Sequence, residues 1–238
     1  MTRAACLIRL ADLVTSLRLD HPARVAIDGV DGSGKTTLAD ELAAALTEAG
    51  RETIRASIDD FAQPSDIRYR RNPESGESYF EDAFDYATVR AVLLDPLGPH
   101  GNRRFRAAAF DILSDRYIDT PVRIAGADAV LLVDGVFLQR PELDECWDFR
   151  IWVDAPFEVT VARAVARDAE RGGAGFDIAA RRRRYDSRYV PGQRLYLERC
   201  HPHNRANVVV QNADVNAPEL RSNQPAGTRR NLEEPEGT

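Results

Sequence analysis

The octet Gly29-Val30-Asp31-Gly32-Ser33-Gly34-Lys35-Thr36 has the spacing G-x-x-x-x-G-K-[ST] and lies between a strand pattern, Arg24 to Asp28, and a helical pattern, Lys35 to Ala49. Three glycines at these positions let successive backbone N–H groups turn inward around an anion, and the helix that follows adds its positive end. A strand, a phosphate-cradling loop and a helix in that order dictate a βα unit. In such a unit Lys35 reaches the β and γ phosphates of a nucleotide and the Thr36 hydroxyl ligates Mg²⁺. The alternative is a Gly-rich turn that merely caps a helix. Composition argues against it, because Lys35 is the only lysine among 32 basic residues and the rest are arginine. A chain that solvates its surface with arginine keeps one compact, flexible ammonium for a reason.

Short apolar runs alternate with amphipathic stretches over the rest of the chain, the signature of an α/β fold with a mostly parallel sheet. The strands predicted are Arg24 to Asp28, Thr53 to Ser57, Ala129 to Asp134, Arg150 to Asp154 and Asn207 to Gln211. Predicted helices run over Lys35 to Ala49, Ala83 to Leu94 and Glu158 to Glu170, the last with Pro156 at its first position and Gly172-Gly173 at its end. Residues 1–22 form an amphipathic surface helix, 23–216 the main domain with a lid at about 168–190, and 217–238 a polar tail expected to be disordered. The segment Pro64 to Phe80 reads as a polar loop bordering a pocket, and Arg103 to Leu113 as a hairpin.

Several classes are excluded. No apolar run approaches the roughly 20 residues of a membrane span, and the N-terminal stretch lacks a secretory signal's apolar core, so a cytoplasmic protein without a membrane partner is expected. A net charge of −6 opposes non-specific nucleic-acid binding. Cys6, Cys146 and Cys200 are odd in number and widely spread, which suits reduced thiols. Cys200, His201 and His203 lack the further cysteine or carboxylate of a zinc site.

Four further features carry chemistry. The buried-type run Val130 to Val133 ends on Asp134, as a Walker B strand does, so Asp134 could hold Mg²⁺. Asp59 and Asp60 follow the second strand, where doubly wound sheets place their ligands, and either carboxylate could accept a proton from an acceptor hydroxyl or simply cap a turn. Arg163, Arg167 and Arg171 recur every four residues beside a Gly-rich break, which suits a lid over phosphates as well as a solvated helix face. The run Arg181 to Arg184 reads more readily as a solvated face.

Together these blocks resemble the uridine kinase group of P-loop kinases, whose relatives include pantothenate kinase and phosphoribulokinase. The resemblance runs from about Arg24 to Asn212 and rests on GVDGSGKTT, SIDDF, AFDYATVRAVLLDPL, ADAVLLVDGVFL, WVDAPFEVTVARAVARD, RYVPGQRLY and ANVVVQNAD. It implies a three-layer αβα fold with a five-stranded sheet and a mobile lid. It further implies transfer of the ATP γ-phosphoryl group to a small-molecule hydroxyl. By the resemblance, Lys35, Asp59 and Arg167 are catalytic, with Asp59 the base. ATP is bound by Gly29, Asp31, Gly32, Ser33, Gly34, Lys35, Thr36, Thr37, Arg163, Arg167 and Arg171, and Mg²⁺ by Thr36, Asp134 and Asp59.

The acceptor region departs from the family. Tyr79-Phe80-Glu81-Asp82 stands where uridine kinases carry aspartate-His-Pro-aspartate, and Asp115 replaces a nucleoside-contacting histidine. Asp60, Tyr79, Phe80, Glu81 and Arg116 are the candidate acceptor residues, each with a core or capping role as the alternative. A nucleoside such as uridine or cytidine is the first acceptor expected. The arginines at 68, 70 and 71 favour a pantothenate-like or sugar-phosphate acceptor instead, and a non-catalytic nucleotide switch is the reading from another class. The resemblance also allows a homo-oligomer.

Overall fold

The computed structural model describes residues 1–223. Six strands form one sheet: β1 (Ala23–Gly29), β2 (Thr53–Ser57), β3 (Val130–Gly135), β4 (Phe149–Asp154), β5 (Val208–Gln211) and β6 (Glu219–Ser222). Their spatial order is β6-β5-β4-β1-β3-β2, parallel throughout except for β6, which pairs antiparallel with β5. The five predicted strands are therefore joined by a sixth. Glu219–Ser222 falls in the segment expected to be a disordered tail, and it is ordered by pairing Leu220 with Val210 and Ser222 with Val208. Residues 224–238 of that predicted tail lie outside the described residues.

The central strands are apolar at nearly every position because both faces are covered. Val25, Ile27, Val130, Leu132, Ile151 and Val153 point to one side, against α1 (Arg3–Thr15) and α2 (Lys35–Glu48). Ala26, Leu131, Val133 and Trp152 point to the other, where Phe80, Phe137 and Tyr196 complete a larger core. Period-two side-chain alternation thus divides one buried sheet between two helical layers. Helix α1 starts on Thr2, whose hydroxyl accepts from the Ala5 N–H at 3.2 Å, and buries Cys6, Leu10, Ala11 and Val14.

Two predicted boundaries move. The stretch read as a loop contains one helical turn, Ser65–Arg68, and the helix α3 (Gly76–Asp82), capped by Ser75. The following helix opens after Asp85, which accepts from the Thr88 N–H at 3.0 Å, instead of at Ala83. No hairpin closes within the predicted span Arg103 to Leu113: Phe110–Asp111 pairs with Arg116–Tyr117, and Arg104–Phe105 pairs with Arg123–Ile124. Beyond β4, α4 (Phe157–Gly172) has Pro156 as its N-cap and ends at Gly173 with φ +66°. α5 (Ile178–Arg184) then leads through a further helical turn into α6 (Val190–Cys200). Cys6, Cys146 and Cys200 are buried and free, and no described helix is long and apolar enough to cross a membrane.

Candidate active site

The chain reverses its strand order at β1, whose neighbours are β3 and β4, and the crevice above their C-terminal ends is where open α/β sheets bind ligands. The P-loop rises there from Gly29. Gly32 and Gly34 hold φ of +77° and +95°, and a Cβ on Gly32 would lie 2.1 Å from the Thr160 carbonyl oxygen, so neither position admits a side chain. Gly34 caps α2, which places the backbone turn directly on a helix N-terminus.

Side chains from eight segments meet around a cleft of about 320 Å³. Lys35 is 8% exposed; its Nζ donates to the Val30 carbonyl at 3.1 Å and lies 3.8 Å from the Asp31 carboxylate. The Thr36 hydroxyl donates to Asp134 Oδ2 at 2.6 Å, and Arg55 Nη2 donates to Asp134 Oδ1 at 2.9 Å. The register of β1 with β3 sets Ile27 opposite Asp134, which brings the Walker-type carboxylate to the foot of the P-loop. Asp31 is held by Gln193 Nε2 at 2.7 Å and by the Tyr79 hydroxyl at 3.3 Å. Burial, then Asp31 and Asp59, push the Tyr79 phenol well up, so it remains a donor.

Asp59 opens onto the cleft from the turn after β2. Enclosure by the cleft walls is the leading reason its carboxyl is pushed up to about 6; Asp31, Asp134 and Asp60 add to this and Lys35 opposes it. Such a carboxyl can take and release a proton near neutral pH.

The donor set suits a hard cation. Mg²⁺ favours one or two carboxylates completed by water and phosphate oxygens, and the Thr36 hydroxyl and Asp134 carboxylate supply oxygens on the cleft that Asp59 also faces. Among the described residues no cluster of three or more His, Cys, Asp or Glu forms an all-protein metal cage, including at Cys200, His201 and His203.

Not every predicted residue reaches the cleft. Arg167 and Arg171 line it, with Arg167 paired to Asp168 at 3.0 Å. Arg163, on the same helix, is turned away: its Nη1 donates to the Asn212 carbonyl at 2.9 Å and its Nη2 to the Ala213 carbonyl at 2.7 Å. Of the acceptor candidates, Tyr79 lines the cleft and Asp60, Phe80, Glu81 and Arg116 do not. Phe80 is core, 4% exposed beneath the Arg140 guanidinium at 4.1 Å. Glu81 pairs with Arg140 at 3.3 Å and Arg199 at 3.1 Å. Arg116 is an exposed hairpin residue paired through its backbone with Asp111. The Asp60 carbonyl accepts from the Ala109 N–H at 3.0 Å, tying that turn to the same hairpin.

Of the arginines at 68, 70 and 71, Arg68 lines the cleft, and the lining residues the sequence did not single out are Tyr69, Tyr185, Arg188 and Tyr189. Tyr185 and Tyr189 recur four residues apart, as do Arg184 and Arg188, and that spacing was the available signal. Arg181, read as part of a solvated run, lines the cleft and pairs with Asp168 at 3.1 Å. Asp115, in place of the expected histidine, is spent on structure: the Ser65 hydroxyl reaches it at 2.6 Å and Arg68 at 2.8 Å, which holds its carboxyl below the ordinary range.

Residues 24–142 match the family model of the AAA domain (dynein-related subfamily). The chain is 27% identical over 163 residues to the uridine kinase of Saccharomyces cerevisiae, a match covering 66% of this chain and 31% of that protein. It is 22% identical over 160 residues to the uridine kinase of Lactobacillus helveticus, covering 67% and 74% respectively. The chain thus spans about a third of the yeast relative and about three quarters of the bacterial one. The solved structure of a possible uridine kinase from Bacillus stearothermophilus superposes with a TM-score of 0.68 at 23% identity, over 87% of this chain and 97% of that one.

Proposed function

The chain belongs to the uridine kinase-like P-loop kinases and carries the nucleotide-binding portion matched by the AAA domain (dynein-related subfamily) model; on that footing we propose that it transfers the γ-phosphoryl group of ATP, with Mg²⁺, to a hydroxyl of a small molecule. The observation that carries this reading is that Lys35, Thr36, Asp134 and Asp59 line one cleft. Asp59 would accept or orient the acceptor's hydroxyl proton. Phosphoryl transfer asks mainly for positioning and charge neutralisation, so a carboxyl with a pKa of about 6 suffices as the base. Lys35, Arg167 and Arg171 would balance the negative charge spread over the moving group. Mg²⁺, held by Thr36, Asp134 and Asp59, would neutralise phosphate charge when bound.

Kinship with uridine kinases makes a nucleoside, uridine or cytidine, the first acceptor to assay. A second reading, an anionic hydroxy compound such as a hydroxy acid or a sugar phosphate, is favoured by the lining itself. Away from the P-loop and the carboxylates Asp59, Asp134 and Asp168, the polar lining is Ser57, the tyrosines at 69, 79, 185 and 189, and the arginines at 68, 167, 171, 181 and 188, and the described lining contains no Asn, Gln or His to read a base. The Arg68 Nε is buried with no hydrogen-bond partner.

ATP consumption by the purified protein with Mg²⁺ is the test, run against nucleosides, hydroxy acids and sugar phosphates with Lys35→Ala alongside. Lys35-dependent phosphorylation of a neutral nucleoside supports the first acceptor class, and phosphorylation of anionic members alone supports the second. Stoichiometric ATP binding with every acceptor silent overturns the kinase reading in favour of a nucleotide-dependent switch.

A further inference from the structure

The P-loop has an underside as well as a phosphate face, and the underside rests on one buried amide. Asn212, the first residue after β5, is 1% exposed. Its Nδ2 donates to the Ser33 carbonyl at 2.7 Å, and its Oδ1 accepts from Arg3 Nη1 at 3.1 Å. The Asn212 N–H donates to the Asp154 carbonyl at 2.7 Å, and its own carbonyl accepts from Arg163. Each of the four polar atoms of Asn212 therefore has a partner. Packing is as tight as the hydrogen bonding, since a Cβ on Gly34 would lie 2.5 Å from Asn212 Nδ2.

Two facts of covalent structure turn this contact into a statement about the nucleotide site. The Ser33 carbonyl and the Gly34 N–H belong to one planar trans peptide, so they point in opposite directions. A donor that holds the carbonyl down aims the N–H up, into the concave face where phosphate binds. Arginine is a donor only, so Arg3 can meet only the oxygen end of the Asn212 amide, which leaves the NH₂ end for Ser33. Arg3 is itself clamped to Glu41 on α2, through Nε at 2.8 Å and Nη2 at 2.6 Å.

We propose that Asn212 and Arg3 are positioning residues that fix the Ser33–Gly34 peptide for phosphate binding, and that helix α1 thereby sets the nucleotide affinity of the P-loop. The inference rests on the nucleotide-binding reading above. It also accounts for Arg163, which braces the Asn212 carbonyl from α4 instead of meeting phosphate.

The test measures ATP affinity by calorimetry and separates the KM for ATP from that for the acceptor. Arg3→Ala, a change near the chain's start on a surface helix, should weaken ATP binding about fivefold, the worth of roughly one hydrogen bond. Asn212→Asp sets a carboxylate oxygen against the Ser33 carbonyl and should weaken it tenfold or more. Arg3→Lys keeps a donor for Asn212 and should recover part of the loss, while the acceptor KM stays put in all three. ATP affinity within twofold of the wild type in both Arg3→Ala and Asn212→Asp overturns the proposal, as does a lowered melting temperature without a change in affinity. Failure of the wild-type chain itself to bind ATP is a different result, and it overturns the nucleotide-binding reading together with the latch built on it.

Discussion

The phosphate end of the cleft and its acceptor end are built by different means. The phosphate end is one contiguous octet, Gly29 to Thr36, in which backbone N–H groups bind and glycines at +77° and +95° set their direction. The acceptor end is assembled from Arg68, Tyr69, Tyr79, Phe84, Ile112, Arg188 and Tyr189, side chains from segments far apart in sequence. A backbone cradle tolerates little variation and carries one chemistry, whereas a wall of side chains can change its ligand while the fold persists. Under the proposed function, the phosphate end is therefore the part that should follow the uridine kinase relatives, and the acceptor end the part that should differ.

The sharpest way to break that contrast is at Lys35. Lys35→Ala should cost about 10²- to 10³-fold in turnover, the scale of losing one charge-stabilising group at a developing negative charge. The melting temperature should move little, because in the fold the ammonium makes one hydrogen bond, to Val30, and one long ion pair, with Asp31 at 3.8 Å. Wild-type turnover in Lys35→Ala would remove the P-loop from the chemistry altogether.

Asp59 lies between the two ends. Asp59→Asn should lower kcat by about 10²-fold or more, a larger loss than any in ATP affinity, since a positioned base contributes on that scale. With its carboxyl at about 6, kcat/KM of the wild type should rise as pH passes upward through that value and level off above it. A pH profile equally steep in Asp59→Asn would assign the limb to another group.

A second carboxyl sharpens the comparison because it is pushed up to a similar value for a different purpose. Asp28 is fully buried beneath the P-loop, where it accepts hydrogen bonds from the Tyr196 hydroxyl, from Gln139 Nε2 at 3.2 Å and from the Gly29 N–H at 2.8 Å. Burial pushes it up from 3.8 to about 6, with those hydrogen bonds pulling back. The folded state thus binds its proton more tightly than the unfolded chain does. The stability this confers is fully present below about pH 3.8 and is lost as pH rises through about 6, an amount of about 3 kcal/mol. Denaturant titrations of the wild type and Asp28→Asn should converge toward neutrality in slope and diverge between pH 4 and 6. Parallel curves over that window would refute the assignment.

The same contrast governs how much could be read from the sequence. The central parallel strands were legible because a strand buried on both faces must be apolar nearly throughout, as Val130 to Val133 is, and the edge strand β2 through its alternation, with Ile54 and Ala56 buried between half-buried Thr53, Arg55 and Ser57. β6 was not, since Glu219-Leu220-Arg221-Ser222 is an exposed edge strand, ordered by its pairing with β5 and not by an apolar pattern. Helix α3 was hidden for a related reason. It docks on α6 through Gly76 and Gly192, where a Cβ on Gly76 would lie 2.5 Å from the Gly192 nitrogen. Glycine weakens a local helix signal while permitting that close approach. At the site, the P-loop octet announced itself, but four of five acceptor candidates lie elsewhere because adjacency in sequence to a family block does not fix which way a side chain turns. Asn212 and Tyr196 gave no local signal, since each acquires its meaning from a partner on a distant segment.

The smallest of these effects tests the acceptor end alone. Arg68 donates to Asp115 at 2.8 Å, and its side chain is 13% exposed on the cleft wall with Nε left over. If that wall reads an anionic acceptor, Arg68→Gln removes the charge while keeping a hydrogen-bonding side chain, and the acceptor KM should rise about tenfold. The KM for ATP should be unchanged, because the P-loop groups that hold the nucleotide are untouched. Arg68→Lys should fall between the two, since a point charge replaces a planar fork at the same wall. A neutral nucleoside acceptor predicts the opposite pattern, with no change in its KM in either variant. The ratio of the two KM values therefore decides whether the acceptor end has diverged from its uridine kinase relatives while the phosphate end has not.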